Sequence, residues 1–288
     1  MAGALTPYKT RFAPSPTGAL HLGHAYSALI GSRRAMNQGG QFLLRIEDID
    51  KPRCKSAFEG AIFTDLRWLG LSWPSPVLRQ SLRSLAYQTA LNTLQMRGLT
   101  YQCACTRADI RAALSAPQEG SSPIGPEVLI YPGTCRNTGL SPDMAPTLRL
   151  NMTAALAGRK GVEFTETGEN AGMHFVSAQE LLDRIGDVVL ARKDIGVSYH
   201  LAVVTDDGFQ QISEVVRGLD LQPITALQVL LQEHLGLQTP LYHHHRLIRD
   251  AAGKRLAKRD DARALALLRD QGLSAHDVLD RLGLDHRV

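Results

Sequence analysis

The chain has 288 residues, 44% of them hydrophobic and 21% charged, with a formal net charge of +4. A chain of this length and balance buries about three quarters of its unfolded surface, which excludes a disordered segment and a disulfide-stapled miniprotein. The first residues lack the apolar stretch of a secretory signal and no segment reaches the roughly 18 apolar residues of a membrane span, so a cytoplasmic, membrane-free protein is expected; the mild basicity suits an anionic partner without identifying one.

Taken in order, residues 10–13 read as a short strand that enters the turn Pro14-Ser15-Pro16-Thr17-Gly18. A helix follows, with apolar positions at Leu22, Ala25, Leu29 and Ala35. Residues 41–46 form a second strand that ends in the acidic cluster Glu47-Asp48-Ile49-Asp50. Strand, helix and strand within about 40 residues predict a right-handed βαβ unit and a parallel sheet. Residues 56–70 and 81–98 read as amphipathic helices. From Tyr101 to residue 150 the chain turns rich in Cys, Pro, Gly and Ser and reads as an inserted, loop-rich subdomain. Strand-like runs return at 187–190, 199–204 and 212–218, followed by a helix near 223–236. The end is charged and helical, over 262–269 and 274–282, with Ser274 as a helix cap.

The fold expected is therefore α/β: a Rossmann-like, doubly wound parallel sheet with an inserted subdomain and a short C-terminal helical segment. Residues 1–100 and 186–238 supply the two halves of the catalytic domain, 101–185 the insertion, and 239–288 a basic loop with terminal helices.

Four groups of residues carry chemistry. The first is the string Arg11-Phe12-Ala13-Pro14-Ser15-Pro16-Thr17-Gly18-Ala19-Leu20-His21-Leu22-Gly23-His24. Two prolines stiffen a turn that feeds a helix N-terminus, where backbone amides and the helix dipole favour phosphate. His21 and His24, three residues apart, share a helix face and offer donors to a reacting phosphate. A bare HxxH is more often a pair of incidental surface histidines; the fourteen-residue string is far more specific. The second group is Glu47 at a strand end with Tyr199 and Arg217: a carboxylate suited to an ammonium, and a guanidinium suited to a carboxylate through two parallel hydrogen bonds. Singly, these read as a surface ion pair or a packed tyrosine. The third is the basic run Gly253-Lys254-Arg255-Leu256-Ala257-Lys258-Arg259-Asp260, ordinarily a solvated patch. The fourth is Cys103-Ala104-Cys105 with Cys135, and Tyr131 four residues before it. Three thiols leave one place in a four-coordinate zinc site, and on spacing alone metal and free thiols stand level. Cys54 lies apart as a lone thiol, and His174 is an alternative fourth ligand. The consecutive His243, His244 and His245 alternate faces on a strand and read as a surface or nucleotide-facing stretch.

Together these strings resemble the class I aminoacyl-tRNA synthetases, whose HIGH signature stands here as HLGH, and more closely their glutamyl and glutaminyl branch. The resemblance spans Arg11 to about Arg259. It implies that His21, Gly23, His24 and Lys258 contact ATP, with His21, His24 and Lys258 assisting catalysis. It implies a glutamate site formed by Arg11, Phe12, Ala13, Pro14, Ser15, Glu47, Tyr199 and Arg217. It implies one zinc ion on Cys103, Cys105, Tyr131 and Cys135, with Mg²⁺ accompanying ATP. The basic run resembles the family's KMSKS loop, with Arg255 in place of the first lysine and Ala257 in place of the serine. The lost hydroxyl removes a hydrogen bond of about 1 kcal/mol, so slower activation is expected.

Thirty residues follow Lys258, too few for an anticodon-reading domain. This resembles the truncated glutamyl-queuosine branch, which implies transfer of L-glutamate to the queuosine base in the anticodon loop of tRNA(Asp) by a monomer. Three other readings stay open: a compact glutamyl-tRNA synthetase that charges the 3′ end, an HxGH nucleotidyltransferase acting on a small molecule, and an inactive RNA-binding paralogue.

Overall fold

The computed structural model describes residues 7–106, 108–110, 130–194, 196–248 and 264–286. The basic run, with Gly253, Arg255, Ala257 and Lys258, lies outside the described residues.

Strand β1 (Lys9–Phe12) pairs in parallel with β2 (Gln41–Ile46), placing Thr10 opposite Phe42. Helix α1 (Leu22–Asn37) connects them. Its buried face carries the small residues Ala25, Ala28, Gly31 and Ser32, which lets the helix lie close to the strands. The Thr10 hydroxyl donates to the Gly31 carbonyl at 2.7 Å, and a Cβ on Gly31 would come within 3.3 Å of the Phe42 ring. The short β3 (Leu78–Arg79) extends this sheet past β2, after helix α2 (Ser56–Trp68).

On the other side of β1, the Ser213 N–H donates to the Lys9 carbonyl at 2.9 Å, so β10 (Glu214–Gly218) lies alongside. Next in order come β11 (Leu241–His245), β6 (Gly161–Glu166) and β7 (Gly172–Ser177). β10, β11 and β6 run parallel and β7 closes the edge antiparallel. A second, antiparallel sheet has the order β4 (Thr100–Cys103), β5 (Thr147–Leu150), β8 (Val189–Arg192) and β9 (Gly196–Val197).

Two elements depart from the expected order. The β6–β7 hairpin falls inside 101–185 yet joins the parallel sheet through Tyr242 and Glu166, while β8 and β9, beyond residue 186, join the antiparallel one. Strand partners depend on which apolar faces meet, and linear composition does not record that. The run 199–204, expected as a strand, is the start of helix α6 (Tyr199–Gln210). Leu201, Ala202, Val203 and Val204 are all buried, and a run buried on every side has no alternation to separate strand from helix.

Helix α3 (Ser84–Met96) packs with α6 and with α7 (Thr225–His234) on the core shared by the second sheet. The terminal helices α8 (Leu265–Asp270) and α9 (Ala275–Leu282), the latter capped by Ser274, pack Leu265, Leu268, Val278 and Leu282 onto the core of β1, β2, α1 and α2. Arg269 donates to buried Asp65 at 2.5 Å. Among the described residues, no helix is long and apolar enough to cross a membrane.

Candidate active site

The carboxyl ends of β1, β2 and β10 open onto a cavity of about 460 Å³. It is lined by Arg11, Phe12 and Ala13 from β1 and its turn, His21, Gly23 and His24 from the start of α1, Glu47 after β2, Tyr199 from α6, and Arg217 from β10. Pro14 serves instead through its carbonyl, which accepts the Glu47 N–H at 3.0 Å, and Ser15 faces the adjoining cavity.

The histidines have a structural task that fixes their chemistry. His21 is the N-cap of α1: its Nδ1 accepts from the Gly23 N–H at 3.1 Å, while His24 Nδ1 accepts from the His21 N–H at 3.1 Å. The rings stack with centroids 3.8 Å apart. Because both Nδ1 atoms accept, each neutral ring carries its proton on Nε2. A Cβ on Gly23 would stand 3.0 Å from the His21 ring and press on it.

Beneath the cavity lies a charge network that sequence reasoning did not find. Asp207, on α6, accepts from Arg11 Nε at 2.9 Å and from Arg45 Nη1 at 2.7 Å. Arg45 is fully buried and also donates to Glu47 at 3.1 Å. Burial pushes the Asp207 carboxyl up, but the two guanidinium groups outweigh it and hold it near about 2. Glu47 moves the other way, because burial raises its carboxyl by more than Arg45 and Arg11 lower it.

Arg217 is 5% exposed and differs in kind. It donates to Gln228 Oε1 at 2.5 Å, Thr225 Oγ1 at 2.8 Å and His244 Nε2 at 3.1 Å, none of them a carboxylate. His244 Nε2 accepts, so its Nδ1 carries the proton and donates to the Glu166 carboxylate. Burial and the Arg217 charge lower His244 to about 4, keeping it neutral. Arg11 and Arg45 are thus paired with carboxylates, whereas Arg217 makes no ion pair among the described residues. His244 and His245 are buried, contrary to the surface reading of that run, and His245 lines the cavity. Polar pairs inside apolar runs, such as Asp206-Asp207 after Val203-Val204, are the signal that marks such network residues.

Two described residues, Ile248 and Ala264, also meet this site. Ile248 lines the cavity, and Ala264 forms a bridge with His21.

The second cluster sits at the end of β4. The Cys103, Cys105 and Cys135 sulfurs lie within 4.8 Å of one another. The Tyr131 hydroxyl is 3.4 Å from two of these sulfurs and accepts the Cys135 N–H at 2.9 Å. Burial raises the Cys135 thiol, but hydrogen bonds from Tyr131, the Ala104 backbone and the neighbouring thiols bring it down to about 7. Three soft donors and a phenolic oxygen fit the donor set of a tetrahedral zinc ion. His174 is not among them; it hydrogen bonds the Asn170 carbonyl on β7's own hairpin and stacks on Phe164.

The family described as tRNA synthetases class I (E and Q), catalytic domain, matches residues 7–284. A protein named glutamyl-Q tRNA(Asp) synthetase from Rhodobacter capsulatus is 51% identical over 96% of this chain and 99% of its own length. One of the same name from Albidiferax ferrireducens is 41% identical over 90% of this chain and 86% of its own. The solved glutamate-tRNA synthetase of Elizabethkingia anophelis superposes with a TM-score of 0.71 at 27% identity, covering 89% of this chain and 54% of that one, so this chain spans about half of its length. With these matches the chain belongs to the class I tRNA synthetases of the E and Q type and, within them, to the glutamyl-Q tRNA(Asp) synthetase family.

Proposed function

We propose that this chain activates L-glutamate with ATP as glutamyl-adenylate and transfers the glutamate to the queuosine base in the anticodon loop of tRNA(Asp). The observation that carries the glutamate part is Arg217: a buried cation that, among the described residues, is hydrogen bonded to neutral partners, in one cavity with Glu47, Tyr199 and the paired histidines. A dicarboxylate with an ammonium group complements that set. Arg217 takes its side-chain carboxylate, Glu47 its ammonium, and Tyr199 lines the space between, with Arg11, Phe12 and Ala13 as the wall. The α-carboxylate oxygen then attacks the α-phosphorus of ATP, and pyrophosphate leaves. His21 and His24 donate Nε2 protons to the phosphate, Gly23 lets the nucleotide approach the helix start, and Lys258 neutralises the departing pyrophosphate. Catalysis by these residues is orientation and charge stabilisation, without a covalent protein intermediate. The relatives' shared name supports the queuosine acceptor.

Mg²⁺ accompanies ATP as a counter-charge. Zinc would be held by Cys103, Cys105, Cys135 and Tyr131 and would supply a structural cross-link at the end of β4. The partners are L-glutamate, ATP and tRNA(Asp) bearing queuosine, met by a monomer in the cytoplasm.

Incubation with ATP, labelled L-glutamate and bulk tRNA, followed by nuclease mapping, tests the acceptor. Label on the queuosine nucleoside of tRNA(Asp) is expected. Label on the 3′-terminal adenosine would make the chain a tRNA-charging enzyme, and no label on RNA or adenylate would leave an inactive RNA-binding paralogue.

A further inference from the structure

Next to the glutamate cavity, and sharing Glu47 and Tyr199 with it, lies a larger one of about 890 Å³. Four of its lining side chains bury a polar atom that has no hydrogen-bond partner among the described residues: Gln80 Oε1, Arg149 Nε, Ser198 Oγ and His200 Nδ1. His200 stands out. Neither of its ring nitrogens is hydrogen bonded within the described protein, and its one ring contact is edge-on to Tyr199 at 5.6 Å. Burial, reinforced by the Arg217 charge, lowers the ring to about 4, so it is neutral at physiological pH.

A neutral imidazole carries one donor and one acceptor. Its Nδ1 is closed off from the cavity and the two ring nitrogens point apart, so Nε2 is the atom a ligand meets; a hydroxyl, which both gives and takes a proton, complements Nε2 in either tautomer. A phosphate, which only accepts, would use Nε2 in one tautomer alone. Cations for a phosphate line the cavity elsewhere, at Arg53, Arg184 and Arg192, each also paired with a carboxylate of Asp50, Glu180 or Asp194. The combination suits a hydroxylated ring on a phosphate-linked backbone. Its position follows from the helix: Tyr199 and His200 are the first two residues of α6, about 100° apart around its axis, so one lines both cavities while the next turns into the larger alone.

We propose that His200 positions the attacking hydroxyl of the acceptor nucleoside, hydrogen bonding it beside the glutamyl-adenylate. The inference rests on the glutamate-transfer reading above. In the step it serves, the hydroxyl oxygen bonds to the glutamyl carbonyl carbon, the bond from that carbon to the phosphate oxygen breaks, and AMP departs with the hydroxyl proton on its phosphate. His200 orients the hydroxyl and is unchanged at the end.

Two measurements on two variants test this: glutamate-dependent ATP–pyrophosphate exchange without tRNA, and single-turnover transfer from preformed adenylate to tRNA. In H200F, which keeps the ring volume, the ratio of transfer to exchange should fall roughly 100-fold. In H200N, whose amide restores a donor and an acceptor, it should recover by about tenfold. A wild-type ratio in H200F, or a parallel loss of both activities in both variants, overturns the assignment. Absence of exchange in the unaltered protein defeats the glutamate reading itself, and this inference with it.

Discussion

The glutamate cavity and the cysteine cluster are assembled over very different lengths of chain. The cluster draws its four groups from residues 103 to 135, at one end of β4, and its sulfurs already lie within 4.8 Å of one another. The cavity draws on five strands and helices, from Arg11 to His245, and its charges are set by contacts such as Arg11 with Asp207 across 196 positions. A local cluster can be lost without moving the rest of the chain. A cavity whose walls are also the core's ion pairs couples binding to folding. The difference gives each region its own pattern of failure.

The largest effect should come from the cavity. Arg217→Ala removes a buried cation that makes no ion pair among the described residues, so the glutamate KM in ATP–pyrophosphate exchange should rise roughly 100-fold or more, on the basis of about 1.5–3 kcal/mol per charged hydrogen bond. Arg217→Lys should recover little of this, because an ammonium cannot reproduce the fork held by Thr225 and Gln228. A normal KM in Arg217→Ala would remove the glutamate assignment.

The cluster should fail differently. Cys135→Ser, or chelation of the wild type, should take bound zinc from one per chain to none by elemental analysis. The thermal midpoint should drop by about 2–4 °C for each kcal/mol of metal binding lost. Exchange should suffer less than transfer to tRNA, since no cluster residue lines the glutamate cavity whereas Tyr131 lines the adjoining one. Equal losses in both assays would erase the contrast between the regions.

The smallest effect is a pH limb. Glu47 is raised by burial, so its carboxylate form, the one that meets an ammonium, is lost on acidification earlier than for an ordinary glutamate. The kcat/KM for glutamate should therefore fall tenfold per pH unit below that raised value, with the ATP KM unaffected over the same range. A flat profile down to the ordinary glutamate range would show that Glu47 does not carry the ammonium.

Much of the site was legible because its residues sit in short strings with a local physical reason. Pro14 and Pro16 stiffen a turn, Gly23 leaves room for the His21 ring, and the Cys103-Ala104-Cys105 pair already places two thiols together. β2 and the capped last helix were readable for the same reason, since alternation and a Ser274 cap are signals within a few residues. The run at 199–204 was misread as a strand, because a segment buried on all sides carries no period. Asp207, Thr225, Gln228 and His244 were not found, since each acts on a residue that only folding brings near.

The amino-acid sequence by itself determined the turn that begins the helix of the paired histidines, the strand–helix–strand unit around it, and the grouping of three thiols with a tyrosine. Tertiary structure alone decided which arginines pair with carboxylates and which is held by neutral partners, that His244 goes inside to orient Arg217, and that the hairpin within the expected insertion joins the parallel sheet. The reason is range. Backbone conformation and close spacing are set by neighbours along the chain, whereas charge balance and burial are set by neighbours in space.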